Sequence, residues 1–358
     1  QSASMDEEQF AQSEQFVRDC AENATVHDGL FVRPSATQTI DEYLAENGLL
    51  GETSETPEEP QEPVGEATQS LTYERYEEGY AVTGVGDEMV VVIPSEYEGL
   101  PVVAIRGQYG TGAFGRSAMT SVVIPDSITE IGNNSFYNCT QLTSVQIGSG
   151  SALASIGRNA FSGCRTLAEM YIPASVTSIG DSAFSYCGVL QLTIPASVTT
   201  IGKYAFDSSE LTSVTFGQGS RLTSIEEQTF ANCQDLATVK LPDGLLSIGK
   251  SAFSGCGITS IDIPDTVTSI GESAFGGCKG LTSVTIPKGV TPITSNVFSS
   301  CDNLASVIIH DGVTTIESYA FNACMRLVNV YYEGTQSGWS KVSVHSEAFT
   351  RSPASLTP

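Results

Sequence analysis

"TSIGDSAFSYC" fills residues 177–187, and nearly the same phrase returns as "ASIGRNAFSGC" at 154–164 and "TSIGESAFGGC" at 268–278. A phenylalanine followed three residues later by cysteine reads either as a reactive-thiol motif or as one rung of a stacked array. The spacing decides. Phe136, Phe161, Phe184, Phe206, Phe230, Phe253, Phe275, Phe298 and Phe321 recur every 22 to 25 residues, and a fixed period in the twenties marks a solenoid. The full unit is L-T-S-V-x-I-P-x-x-V-T-x-I-G-x-x-A-F-x-x-C. Its opening, such as "LTSVTIP" (281–287), alternates β-branched apolar residues with small polar ones, as a half-buried strand does. Pro287 ends that strand by removing a ladder donor. "VTSIG" forms a second extended piece on another side of the coil. Gly180 and its equivalents provide a turn where a side chain costs energy. "SAFSYC" is too short for a helix and suits a single helical or 3₁₀ turn.

Each unit exposes its apolar side until the next one covers it, so the core becomes ladders of like residues. One ladder holds Ile131, Ile156, Ile179, Ile201, Ile225, Ile248, Ile270, Ile293 and Ile316; the phenylalanines form another. About ten coils at about 4.8 Å each give an object roughly 50 Å long.

These phrases carry a resemblance. "IGxxAFxxC" and "LTSVTIP", repeated over roughly residues 71–345, resemble the BspA-like, or Treponema pallidum-type, leucine-rich repeats. "YAVTGVGDEMVVVIPSEYEGLPVVAIRG" (80–107) looks like the degenerate first coil of such arrays, and "VYYEGTQSGWSKV" (330–342) like their closing segment. The resemblance implies a right-handed leucine-rich repeat superhelix with short parallel strands and little helix. It also implies a secreted or cell-surface bacterial protein of adhesive, protein-binding character with no catalytic motif. Departures are local. Thr294, Glu226 and Glu317 replace the glycine, Gly148, Gly217 and His310 replace the strand-ending proline, and "IGSGSALASIG" (147–157) carries two extra residues.

The expected organisation is a small helical segment over 1–50, an acidic Pro/Glu/Thr linker over 51–70, a capping coil over 71–118, repeats over 119–332 and a cap and tail over 333–358. Two helix starts, at Ser4 with Glu7 and at Thr39 with Glu42, have capping-box form. This front segment either packs as an accessory to the first coil or serves as a binding or anchoring module. Because the chain begins at Gln1, we expect a processed or trimmed product whose signal or anchor is no longer visible.

Charge narrows the partners. The net charge is -25, and residues 1–106 hold 23 acids against 4 arginines. That balance argues against nucleic acid, which needs basic surface, and against anionic lipid. No apolar run reaches the roughly 18 residues of a membrane span, so direct membrane insertion is not expected.

No residue set points to catalysis. Eight cysteines, Cys139, Cys164, Cys187, Cys233, Cys256, Cys278, Cys301 and Cys324, each follow a ladder phenylalanine by three, and Ser209 holds that place in one coil. They lack the clustered spacing of a metal site. A packed, unpaired thiol that fills space is the expectation. "GTGAFG" (110–115) fits G-x-G-x-x-G, but a repeat strand rather than a helix follows, so no cofactor is expected. His310-Asp311 has no strained nucleophile nearby and reads as a surface imidazole. We expect no enzyme, no metal and no cofactor.

The strand face is the informative surface. Most of its outward positions are Ser and Thr. Two regions are richer: Gln146, Glu169, Tyr171 and Gln191, and further on Ile308, His310, Asn329 and Tyr331. These residues either form a partner-binding surface or reflect the β-propensity of Tyr, Ile and Thr. The corresponding functions are binding of an extracellular protein or glycan-bearing macromolecule by a monomer, or a passive spacer or scaffold presenting another domain.

Overall fold

The computed structural model describes residues 66–107 and 112–354. The helices expected before residue 50, and most of the acidic linker, lie outside the described residues.

The repeats stack as a parallel-strand solenoid. "LTSVxI" segments form the first face, with strands at Val90–Val92, Ser121–Ile124 and Ser144–Ile147, then Gln191–Ile194, Ser213–Phe216, Thr238–Lys240 and Ser260–Asp262, then Ser283–Thr285, Ser306–Ile309 and Asn329–Tyr332. Every pairing on this face is parallel and in step with the repeat, as in Leu192 beside Val214 and Val284 beside Val307. A one-residue slip would turn the buried valines to solvent, so the alternation fixes the register. "VTSIG" segments form the second face as two-residue strands. There Ile131 pairs with Ile156, and Ile179 with both Ile156 and Ile201.

The third side differs from the expected helical turn. "SAFSYC" runs as successive tight turns, with Ala183 N–H donating to Gly180 O (3.3 Å), Ser185 to Ser182 (3.1 Å) and Cys187 to Phe184 (3.2 Å). Ser182 (φ 55°) and Tyr186 (φ 53°) are left-handed, which a helix forbids and which costs a non-glycine residue roughly 1–2 kcal/mol. Hydrogen bonds between coils offset that strain. Ser182, Phe184 and Tyr186 N–H donate forward to Lys203, Ala205 and Asp207 O at 2.9, 2.7 and 2.9 Å. The same three links recur from coil to coil. Phe114 N donates to Ser135 O near one end, and Phe321 N to Ala348 O near the other.

Inside, the phenylalanines form one continuous stack. It begins at Phe114, 5.2 Å from Phe136, and ends at Phe349, 5.1 Å from Phe321. Rings along the middle lie 4.9 to 5.6 Å apart and nearly parallel. Phe114 thus places "GTGAFG" in the repeat. An antiparallel hairpin, Thr72–Tyr76 with Gly79–Gly84, joins the N-terminal end of the second face, where Tyr73 stacks on Tyr97 at 3.9 Å. At the other end a short helix, Gln336–Trp339, is capped by Thr335 and leads to Ser343–Val344, which pairs with Thr315–Ile316.

The glycine after isoleucine has a different cause from the one expected. Gly180 and Gly271 are not left-handed. They touch the coil before them: a Cβ on Gly271 would lie 2.5 Å from Lys250 N and 2.7 Å from Gly249 C. Backbone on both sides leaves no side chain to yield. Gly271→Ala is therefore expected to destabilise the array by about 1–3 kcal/mol, the usual range for overpacking. Gly244→Ala, whose Cβ would meet nothing within 4 Å, should leave the denaturant midpoint in place. Equal midpoints for the two variants would contradict the close contact.

Candidate functional site

All eight repeat thiols are buried and unpaired. They do more than fill space. Seven donate to the carbonyl of the phenylalanine one coil earlier, from Cys139 to Phe114 O (3.0 Å) through Cys256 to Phe230 O (2.9 Å) to Cys324 to Phe298 O (3.1 Å). Cys187 donates to Cys164 O at 3.4 Å. Ser209, with its own hydroxyl, lies 3.4 Å from Cys233 Sγ. Burial pushes the Cys139 thiol up to about 11 and Cys187 up to about 12, so neither supplies thiolate at neutral pH. Among the described residues, no group of three His, Cys, Asp or Glu converges as a metal site, and no helix is long and apolar enough to cross a membrane.

The strand face is uneven. From Gln191 to Asp262 its outward rows are mostly small and polar, with Thr193 Oγ1 and Thr215 Oγ1 3.0 Å apart. Ahead of Gln191 the ladder breaks. The coil from Phe136 to Phe161 spans 25 residues, the longest between Phe114 and Phe321. It carries the two-residue insertion, and no strand forms over 167–172 in the coil after it. A single bridge, Glu169 to Gln191, joins that segment to its neighbour. The break opens a depression of about 520 Å³ lined by Ser144, Val145, Glu169, Tyr171, Gln191 and Thr215, among others. Its walls are about equally polar and apolar in character: carboxylate, amide and hydroxyls surround a phenol ring and the edge of Met170. Tyr171 is 45% exposed. The sequence expected Glu169, Tyr171 and Gln191 together, and the depression contains all three. Gln146 is exposed in the strand Ser144–Ile147, but the lining passes through Ser144 and Val145 instead.

The second region is only partly as expected. Ile308 lies directly beside Tyr331, and Ser306 beside Asn329, in adjacent parallel strands. Tyr331 is 56% exposed. His310 is a correction. It is 7% exposed, not a surface imidazole, and its Nδ1 faces the Glu333 carboxylate of the next coil. His310 stands in the row of Pro125, Pro242 and Pro287, which are also buried. There the strand has ended and the chain turns inward, so strand alternation no longer decides which side a residue faces. Sequence reasoning missed Thr143, Met170 and Ser213 in the first depression, because consensus residues become lining only where the ladder breaks.

A leucine-rich repeat protein from Bacteroides ovatus is 28% identical, with 80% of each chain covered and a TM-score of 0.55. The T. pallidum leucine-rich repeat protein is 29% identical over 61% of this chain and 91% of its own, with a TM-score of 0.47. A leucine-rich cell surface protein from Faecalibacterium prausnitzii is 28% identical over 79% of this chain and 98% of its own, with a TM-score of 0.38. No curated protein matches the chain. The model of the BspA type leucine rich repeat region matches residues 108–221 and 219–328, in six copies. With that span, the eleven-ring phenylalanine stack and the two parallel strand faces, the chain belongs to the BspA-type leucine-rich repeat family.

Proposed function

We propose that the chain is a secreted or cell-surface repeat protein that binds a protein partner through its strand face and catalyses nothing. The observation that carries this reading is the broken ladder. It sets an exposed tyrosine among Glu169, Gln191 and threonines in a depression of about 520 Å³. Interface hot spots favour Tyr on otherwise neutral ground, and solenoids present extended surfaces of this kind. A passive spacer is the second reading, favoured by the Ser and Thr rows between Ser213 and Thr285.

The test is a binding screen of the immobilised chain against extracellular matrix proteins, with Tyr171→Ala and Thr285→Ala in parallel. Tyr171 points away from the core, so the expected result is a partner retained by wild type and by Thr285→Ala and weakened at least about tenfold by Tyr171→Ala. Equal retention by all three would reject the depression as the docking site. Retention of no partner at all would favour the spacer.

A further inference from the structure

The turn side carries a second depression, of about 510 Å³, that shares no residue with the first. Three successive coils build it, those of Phe136, Phe161 and Phe184. Its lining includes Tyr137, Asn138, Ser162, Arg165, Ser185 and Tyr186, and contains no carboxylate. In a chain with 41 acids against 16 lysines and arginines, a cavity with a lone guanidinium is distinctive. Arg165 is exposed and has no ion-pair partner among the described residues.

Two serine hydroxyls are available to a ligand. Ser162 is 8% exposed and Ser185 6% exposed, and neither hydroxyl has a hydrogen-bond partner among the described residues. Both line the cavity. The next serines in the same row are satisfied: Ser254 Oγ donates to Gly276 O at 3.0 Å, and Ser299 Oγ accepts from Asn322 at 3.3 Å. At Ser162 and Ser185 the bonding capacity is instead directed into the cavity.

The rim comes from a left-handed row shared by residues as varied as Gly163, Ser208, Asn232 and Ala323. In that row the coils at this cavity place the amide of Asn138 (φ 56°) and the phenol ring of Tyr186 (φ 53°). Asn138 is set against Gly163, where any Cβ would lie 2.1 Å from Asn138 Oδ1. Tyr186 is 52% exposed at the rim. Tyrosine supplies rigid, amphipathic contact area at low entropic cost.

We propose that this depression binds a saccharide bearing a carboxylate. The hydroxyls of Ser162 and Ser185 and the amide of Asn138 match a polyol that both donates and accepts. Tyr137 and Tyr186 offer aromatic faces to the C–H faces of sugar rings. Arg165 takes the carboxylate through two parallel N–H donors, a geometry that guanidinium and carboxylate share. The volume lies within the range of about 300–1,000 Å³ common to ligand pockets.

The test is calorimetric titration of the full chain with a hyaluronan tetrasaccharide, its carboxyl-reduced analogue and inorganic phosphate. Arg165→Gln and Tyr186→Gly are the variants. Glycine suits the left-handed backbone at 186, so that variant should fold, and a cooperative thermal transition checks both. Saturable binding of the tetrasaccharide is expected, with a loss of about tenfold on Arg165→Gln and on carboxyl reduction, as befits a charge-assisted pair. Tyr186→Gly should weaken binding by about fivefold or more, as loss of a tyrosine contact does. No binding by the wild type, or equal binding by wild type and Arg165→Gln, would overturn the proposal. Phosphate as strong as the tetrasaccharide would make the cavity a simple anion site and would also overturn it. None of these outcomes bears on Tyr171, which belongs to the other depression.

Discussion

Phe230→Ala is expected to cost the array about 3–5 kcal/mol, the range for truncating a buried phenylalanine. Phe230 is fully buried, and its ring lies 5.2 Å from Phe206 and 5.4 Å from Phe253, tilted by only 5° and 8°. The truncation removes one ring from the middle of the stack, and both neighbours lose a face. Relaxation is restricted, because Phe230 N–H is held to Ala252 O at 2.9 Å and the Cys256 thiol donates to Phe230 O at 2.9 Å. The backbone therefore stays in place and the cavity stays open. In a linear array each repeat is stabilised by its neighbours, so the loss should also split the transition. Calorimetry should show the coils on either side of 230 melting as separate units. A change below about 1 kcal/mol in a single unaltered transition would place Phe230 outside the stack.

Raising the pH above 9 is expected to destabilise the fold steeply. Burial lifts the Cys139 thiol from an ordinary 9.0 to about 11, and those of Cys187, Cys278 and Cys324 to about 12. Below pH 9 these thiols are protonated in both states and their contribution is fully present. Between pH 9 and about 11 the unfolded chain releases protons that the native chain keeps, so stability falls as pH rises. Each thiol loses on the order of 1 kcal/mol per pH unit in that window. Acting together, the four thiols remove a large share of the roughly 5–15 kcal/mol that holds a domain. Denaturant midpoints at pH 8 and pH 10 measure this, with a thiol-reagent count as companion. At pH 8 the eight repeat thiols should react slowly in the native protein, with Cys20 left out of the count, and denaturant should release all eight. A midpoint unmoved between the two pH values, or rapid native reaction of repeat thiols at pH 8, would show them to be open to solvent.

Repetition made the fold legible. The isoleucine and phenylalanine rows were readable because every coil repeats the same demand, and stacking satisfies it in only one register. What repetition could not show was why each consensus residue is required. Glycine in "IGxxAF" looked like a dihedral requirement, and at Gly271 it is a backbone contact with the coil before it. Cysteine looked like filler, and it donates a hydrogen bond to the previous coil. His310 looked exposed because strand alternation was carried one residue past the strand's end. At the first depression, Glu169, Tyr171 and Gln191 stood out against a Ser and Thr background, although the gap beside them comes from strand pairing lost over 167–172, and pairing is a three-dimensional property. At the second, Tyr137, Arg165 and Tyr186 sit at positions where the repeat tolerates almost anything. Only the structure brings them around one cavity.

The turn side has an electrical consequence. In each coil the peptide groups before Ser182, Phe184 and Tyr186, and their equivalents, point N–H toward the next coil and C=O toward the previous one. Peptide dipoles so aligned add, as they do along an α-helix, whereas those within a sheet largely cancel. Three parallel files of them run the length of the array in one sense. The turn side is therefore polarised along the array, donor-rich and positive toward the C-terminal coils, an orientation opposite to that of a single helix. Files on the second face run the other way, with Gly180 N–H donating back to Ile156 O and Gly202 N–H back to Ile179 O. The two sides of each coil thus carry opposed dipoles. An added coil would find matching donors and acceptors on both sides in only one orientation, so the repeat's own backbone dictates the direction in which the array extends.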